Sequence, residues 1–276
     1  MVGAYIRLKR LFPEGEGVIV LPIDHGEFQG PRKGLVDPLA TLQALTGYDA
    51  VLLSPGMLVR CRDFFAARRQ VMAIVRLNWN ADYCFQWGYS DGTHGRILSP
   101  AGALALGADV GLASVAMGTG DPAKDAASAE LFGRLAEEAR HAGLPLGGEF
   151  YPGGDIGRFS QDEFHDLVLR SARIIAELGA DFIKTFYTGE RFQEVVEACP
   201  VPVIVLGAEK ENEVSALRKA ELSIAAGARG VIFGRNVFES DRPQDFLNAL
   251  GEVVRRRRPA EAVAEQFGFT ALCFGR

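Results

Sequence analysis

The chain has 276 residues, 48% of them hydrophobic, and a formal net charge of −5 from 30 basic and 35 acidic side chains. Charges of both signs are interspersed, which excludes a disordered polyanion and a strongly basic nucleic-acid-binding surface. The one basic run, Arg255 to Arg258, falls at the end of a predicted helix, where positive charge complements the helix dipole.

No stretch approaches the roughly 18 to 20 consecutive apolar residues that span a bilayer, and the segment MVGAYIRLKRLFPEGEG lacks an apolar signal core. A cytoplasmic protein with no membrane partner is therefore expected. Cys61, Cys84, Cys199 and Cys273 are scattered without the spacing of a zinc site or a redox pair, and read as reduced thiols.

In chain order, short runs of Val, Ile, Leu and Phe alternate with longer amphipathic stretches. The apolar runs are Gly17 to Asp24, Ala50 to Ser54, Val71 to Asn78, Asp109 to Met117, Pro145 to Tyr151, Asp181 to Tyr187, Pro202 to Gly207 and Gly230 to Gly234. Strands alternating with helical crossovers are the pattern of a parallel sheet. Asp37-Pro38 opens one helix, with Gly47 expected to close it, and Ser160 with Glu163 forms a capping box for a helix ending at Gly179. Leu106-Gly-Ala-Asp109, Leu178-Gly-Ala-Asp181 and Ala226-Gly-Ala-Arg229 repeat one phrase just before a strand, as equivalent corners of a closed ring would.

Eight such units predict a (β/α)8 TIM barrel. A doubly wound open sheet would carry a Gly-rich phosphate turn after its first strand, and this strand ends in Asp24-His25-Gly26 instead. The expected organisation is one catalytic barrel over residues 1–258 and a tail, 259–276, that packs on the barrel or on a neighbouring subunit.

Active sites of such barrels lie at the C-terminal strand ends, so polar residues stranded there come first. Lys184 stands in a strand between Phe182 and Phe186, which share its face. A lysine there either snorkels to solvent or sits in an apolar setting, where desolvation favours a neutral amine able to form an imine. Asp24 closes the first strand and Tyr151 the fifth. Each reads either as a structural group, a turn cap or a half-buried aromatic, or as a proton carrier. Gly207-Ala208 after strand seven and Gly234-Arg235 after strand eight either allow tight turns or bind phosphate, with Arg235 as charged donor.

Asp24-His25-Gly26 with Phe28-Gln-Gly-Pro31, Phe182 to Gly189 around Lys184, and Gly230 to Phe238 together resemble the Schiff-base aldolases of the DeoC/FbaB family, which includes archaeal-type class I fructose-bisphosphate aldolase. The resemblance spans strand one to strand eight. It is nearest to the branch of the autoinducer-2 processing thiolase, through Asp24 to Pro31 and Ala198-Cys-Pro-Val-Pro202. It implies Lys184 as the imine-forming nucleophile, Asp24 as acid/base partner and Tyr151 as proton donor. It places His25, Gly207, Ala208, Gly234 and Arg235 around a substrate phosphate, and it calls for no metal or other cofactor.

Three departures stand out. The family's Gly-Gly after strand seven is Gly207-Ala208, and its YPRG phrase is Tyr151-Pro-Gly-Gly154, which loses an arginine that Arg158 is positioned in sequence to replace. The third is an aromatic segment, Asn78 to Arg96, which reads either as a lid on the pocket or as a subunit contact. The expected function is carbon–carbon cleavage or formation in a phosphorylated keto metabolite through a lysine imine. The alternatives are acyl or ketol transfer on the same fold, and a sugar-phosphate-binding barrel without turnover. A homo-oligomer is expected from the family and the apolar tail.

Overall fold

The structure, a computed structural model, describes residues 2–68, 70–89, 92–153 and 156–270. Eight parallel strands close a barrel: Val18–Pro22, Ala50–Leu53, Met72–Arg76, Val110–Met117, Leu146–Pro152, Phe182–Thr185, Val203–Leu206 and Gly230–Ile232, here strands one to eight. Around the ring they follow the order 1-8-7-6-5-4-3-2, each beside its sequence neighbours, with helices outside. Every apolar run forms a strand within one or two residues of the expected place. At the seam Gly230 pairs with Val18, and a Cβ on Gly230 would lie 2.2 Å from the Val18 carbonyl oxygen, so only glycine lets strands eight and one meet.

Period-two alternation divides each strand between two cores. Outward side chains such as Phe150 and Ile183 pack under the helices, whereas Met72, Ile74, Val110, Leu112, Phe182, Ile204 and Ile232 fill the barrel interior. The helix Val2–Leu11 delivers Leu11 and Phe12 to the interior's lower end, where Phe12 meets Phe182 edge-on at 5.4 Å. Truncating a fully buried phenylalanine such as Phe182 removes about 3–5 kcal/mol, so this plug contributes substantially to the fold.

The recurring corners are equivalent. Gly107, Gly179 and Gly227 adopt φ of 94°, 110° and 97°. Asp49, Asp109 and Asp181, each just before a strand, accept the amide of a neighbouring strand: Ile19 at 2.8 Å, Ala73 at 3.0 Å and Leu146 at 2.8 Å. Ser160 and Glu163 complete the capping box of the helix Gln161–Glu177. Asp37 caps the helix Pro38–Ala44, which ends at Leu45 and not at Gly47, because Leu45 already has extended backbone angles. Three arginines of the basic run are paired on the surface, Arg255 with Asp49 and Arg256 and Arg258 with Glu252. After residue 258 the helix Ala260–Phe267 packs on the helices Glu213–Ala225 and Pro243–Val254. Residues 271–276, including Cys273, lie outside the described residues. Among the described residues no helix is long and apolar enough to cross a membrane.

Candidate active site

The C-terminal strand ends surround one cavity of about 750 Å³. At its floor, inward positions of strands four, five and six carry Ser114, Glu149 and Lys184 in register, Ser114 opposite Glu149 and Glu149 opposite Lys184. Arg76 ends strand three directly above the interior residues Met72 and Ile74. Asp24, two residues beyond strand one, completes a row of alternating charges. Arg76 Nε donates to Asp24 Oδ2 at 2.7 Å, Arg76 Nη2 lies 2.5 Å from Glu149 Oε2, and Lys184 Nζ contacts Glu149 Oε1. All four are at most 6% exposed, so their charges are held by one another rather than by water.

Burial would raise the Asp24 and Glu149 carboxyls, yet Arg76 first and Lys184 second outweigh it and hold both below the usual carboxylate range. The Arg76 guanidinium also lies 5.2 Å from the ring centres of Phe28 and Tyr83, so its flat faces are covered as well.

The sequence-derived residues thus converge, with two corrections. The setting of Lys184 is not merely apolar, because Glu149 faces it on the adjacent strand. Asp24 makes its hydrogen bond to Arg76, and the carboxylate touching Lys184 is Glu149. Arg76 and Glu149 were not singled out from the sequence. Both carry the signal that marked Lys184, a charge at an inward position of an apolar strand.

Tyr151 faces the cavity one inward step above Glu149 and is clasped by Tyr83 at 4.7 Å and Phe186 at 6.0 Å between ring centres. Burial, reinforced by Asp82 and Glu149, pushes its phenol far up, so it keeps its proton at neutral pH. His25 packs edge-on to Phe238 at 5.1 Å, with Nδ1 3.7 Å from Asp24 Oδ1. Burial pushes its imidazole down to about 4 against the pull of Asp24, and Arg235, Lys184 and Arg32 add to the shift.

Gly207, Ala208, Gly234 and Arg235 line the side of the cavity formed by strands seven and eight. A Cβ on Gly234 would lie 2.7 Å from His25 Cε1, so this glycine is needed for close packing. Buried Asn236 ties the two loops together, donating to the Gly207 carbonyl at 3.1 Å and accepting from the Glu211 amide at 2.8 Å. Ala208 takes the left-handed conformation, φ 55°, that a glycine adopts without penalty. Arg235 Nη1 lies 2.5 Å from Glu209, whose side chain is 78% exposed and free to swing into solvent.

The segment Asn78 to Arg96 forms a wall of the cavity. Strands Asn78–Asn80 and His94–Arg96 pair as a hairpin, and Asp82, Tyr83, Phe85, Gly88 and Tyr89 line the space. Side chains tie it to the loop after strand one: Trp79 Nε1 donates to the Glu27 carbonyl at 3.2 Å and Gln86 Nε2 to that of Phe28 at 2.9 Å. Ser90 and Asp91 lie outside the described residues, as does Gly154. Arg158 does not line the cavity. It donates to the Gly118 carbonyl at 3.0 Å and stacks on Phe159, so it does not stand in for the missing arginine.

With this geometry in view, residues 18–240 match the DeoC/LacD family aldolases. The chain belongs to that family. It is 35% identical over 270 residues to 2-amino-3,7-dideoxy-D-threo-hept-6-ulosonate synthase 1 of Archaeoglobus fulgidus, covering 97% of each chain. It is 30% identical over 266 residues to 3-hydroxy-5-phosphonooxypentane-2,4-dione thiolase of Yersinia pestis, covering 96% of this chain and 87% of that one. Among solved structures, a Schiff-base-forming fructose-1,6-bisphosphate aldolase superposes with a TM-score of 0.78 at 28% identity, over 91% of this chain and 99% of that one.

Proposed function

We propose that this DeoC/LacD family aldolase is a class I, metal-independent enzyme that cleaves or forms a carbon–carbon bond in a phosphorylated ketose or related keto metabolite. The observation that carries the reading is the Lys184 amine on the floor of the cavity, held by Glu149 within a balanced row of buried charges.

Lys184 gives up its ammonium proton to Glu149 and adds to the substrate ketone. The carbinolamine hydroxyl takes a proton and leaves as water, giving an iminium. In cleavage a proton passes from the β-hydroxyl to Asp24, the bond between the α and β carbons breaks, and its electron pair flows into the iminium to form an enamine. The aldehyde is freed, Tyr151 protonates the enamine carbon and regains its proton from Asp24 through solvent, and water hydrolyses the imine to return Lys184. Gly207, Ala208, Gly234 and Arg235 take the phosphate, with neutral His25 as a further donor.

The test is borohydride reduction with a panel of phosphorylated ketones, including dihydroxyacetone phosphate and fructose 1,6-bisphosphate, followed by mass spectrometry. A covalent adduct on Lys184, absent from Lys184→Met, is expected. No adduct with any carbonyl metabolite would overturn the reading.

A second reading, acyl or ketol transfer, is favoured by the relatives named as a synthase and a thiolase. Product analysis with and without coenzyme A or an added carbonyl acceptor separates it from simple cleavage.

A further inference from the structure

We infer that the carbonyl fragment released from the Lys184 adduct is an unphosphorylated, uncharged aldehyde, so that the substrate carries a single phosphate. This rests on the aldolase reading and narrows it to a substrate class.

Strands three and seven lie four places apart in the ring of eight, on opposite sides of the barrel. A substrate anchored by its phosphate at the strand seven and eight loops and joined to Lys184 therefore extends its other end toward the hairpin that follows strand three. Among the described lining residues the cations are Arg76, Lys184 and Arg235. Arg76 is 2% exposed and fully engaged, with Nε on Asp24, Nη2 on Glu149 and Nη1 3.3 Å from Ser114 Oγ, while Phe28 and Tyr83 cover its faces. Lys184 is the reacting amine and is held by Glu149. Arg235 alone has a partner, Glu209, that is exposed and able to yield to an incoming phosphate.

The far side presents Tyr83, Phe85 and Tyr89, together with the acidic Asp82, and Ile156 and Phe164 after strand five continue the apolar wall. Arg96, in the hairpin itself, pairs with Glu138, and Arg158 is turned to the Gly118 carbonyl and stacked on Phe159. A phosphate placed there would exchange its water for aromatic rings and a carboxylate, with no cation among the described lining residues on that side free to oppose its charge. A neutral aldehyde with an apolar or aromatic body meets the same surface favourably.

The experiment loads the protein with dihydroxyacetone phosphate or another ketone monophosphate that forms the borohydride-trappable Lys184 adduct. It then measures how fast D-glyceraldehyde 3-phosphate, D-glyceraldehyde and phenylacetaldehyde discharge that adduct into product. The unphosphorylated aldehydes are expected to discharge it at least about tenfold faster per unit concentration. Phe85→Arg, on a side chain 46% exposed at the rim, is expected to raise discharge by the phosphorylated aldehyde about tenfold. Equal or faster discharge by the phosphorylated aldehyde in the unaltered protein overturns the inference while leaving the imine chemistry intact. So does discharge by none of the three. Absence of any Lys184 adduct overturns the aldolase reading and this inference with it.

Discussion

Glu149 and Lys184 face each other across the ladder of strands five and six, and the second carboxylate oxygen of Glu149 is held by Arg76 at 2.5 Å. The amine is thereby fixed by a carboxylate that is itself fixed, and two buried cations are matched by two buried carboxylates, Asp24 and Glu149. Removing any one member leaves an uncompensated charge out of water.

Arg76→Met is the most damaging single change at the floor, because it leaves both carboxylates without their shared partner. It should lower stability by about 3–5 kcal/mol, read from urea unfolding. Glu149→Gln keeps the shape and should unfold at a urea concentration closer to the unaltered protein. It should nevertheless slow adduct formation at Lys184 about a hundredfold, through loss of the proton acceptor.

Stability should peak near pH 6.5. Burial pushes His25 and His94 down to about 4 and pushes Glu27 up to about 8. Between about pH 4.5 and 6.5 the unfolded chain binds both histidine protons while the folded chain binds only that of Glu27. One proton in excess on the unfolded side makes stability rise by about 1.4 kcal/mol per pH unit. From about 6.5 to 8 only folded Glu27 holds a proton, so stability falls with the same slope. Asp24 and Glu149, whose folded values are depressed, contribute stability present above about pH 4 to 4.5 and lost as pH falls through their folded values. Urea midpoints at pH 5.5, 6.5 and 8 test the peak, and Glu27→Gln should abolish the alkaline fall.

Ala208→Gly should stabilise the protein by about 0.5–1 kcal/mol, because alanine pays a steric cost at φ 55° that exceeds the extra freedom glycine has when unfolded. Thermal unfolding with and without inorganic phosphate is the readout. The variant should also show an equal or larger phosphate-induced shift, since the methyl group leaves the loop.

Arg235→Ala should raise KM for a phosphorylated ketone about a hundredfold and leave kcat within a fewfold, as expected for a group that binds the phosphate equally in ground and transition states. A fall in kcat with unchanged KM would assign Arg235 to the chemistry instead.

The barrel was legible in the sequence because each of its eight strands is an apolar run, all but the third with glycine or aspartate at or next to one end or both, and because the Gly-Ala corner phrase recurs at matching backbone angles. Lys184, Asp24 and Tyr151 were legible as polar residues at strand ends. The pairing between them was not, since it depends on which strands are neighbours and in what register. Glu149 becomes a partner of Lys184 only through the strand five and six ladder, and Arg76 reaches Glu149 from strand three across the barrel interior. The hairpin within residues 78–96 escaped for a related reason. Its strands are three residues each, too short for a period to register, and they are fixed by Trp79 and Gln86 bonding to backbone after strand one.

Leu11 and Phe12 stopper the lower end of the barrel, which makes the interior a well with a single mouth. Ligands enter and depart past the same rim, beneath Phe85 and Tyr89. A reaction that splits one substrate in such a well must release its pieces in sequence: the free aldehyde first, the fragment tethered to Lys184 only after hydrolysis. In the proposed imine mechanism the bond to Lys184 sets that order and the single mouth makes both pieces leave by one path, so product-inhibition patterns should show the phosphorylated ketone competing with substrate while the aldehyde does not.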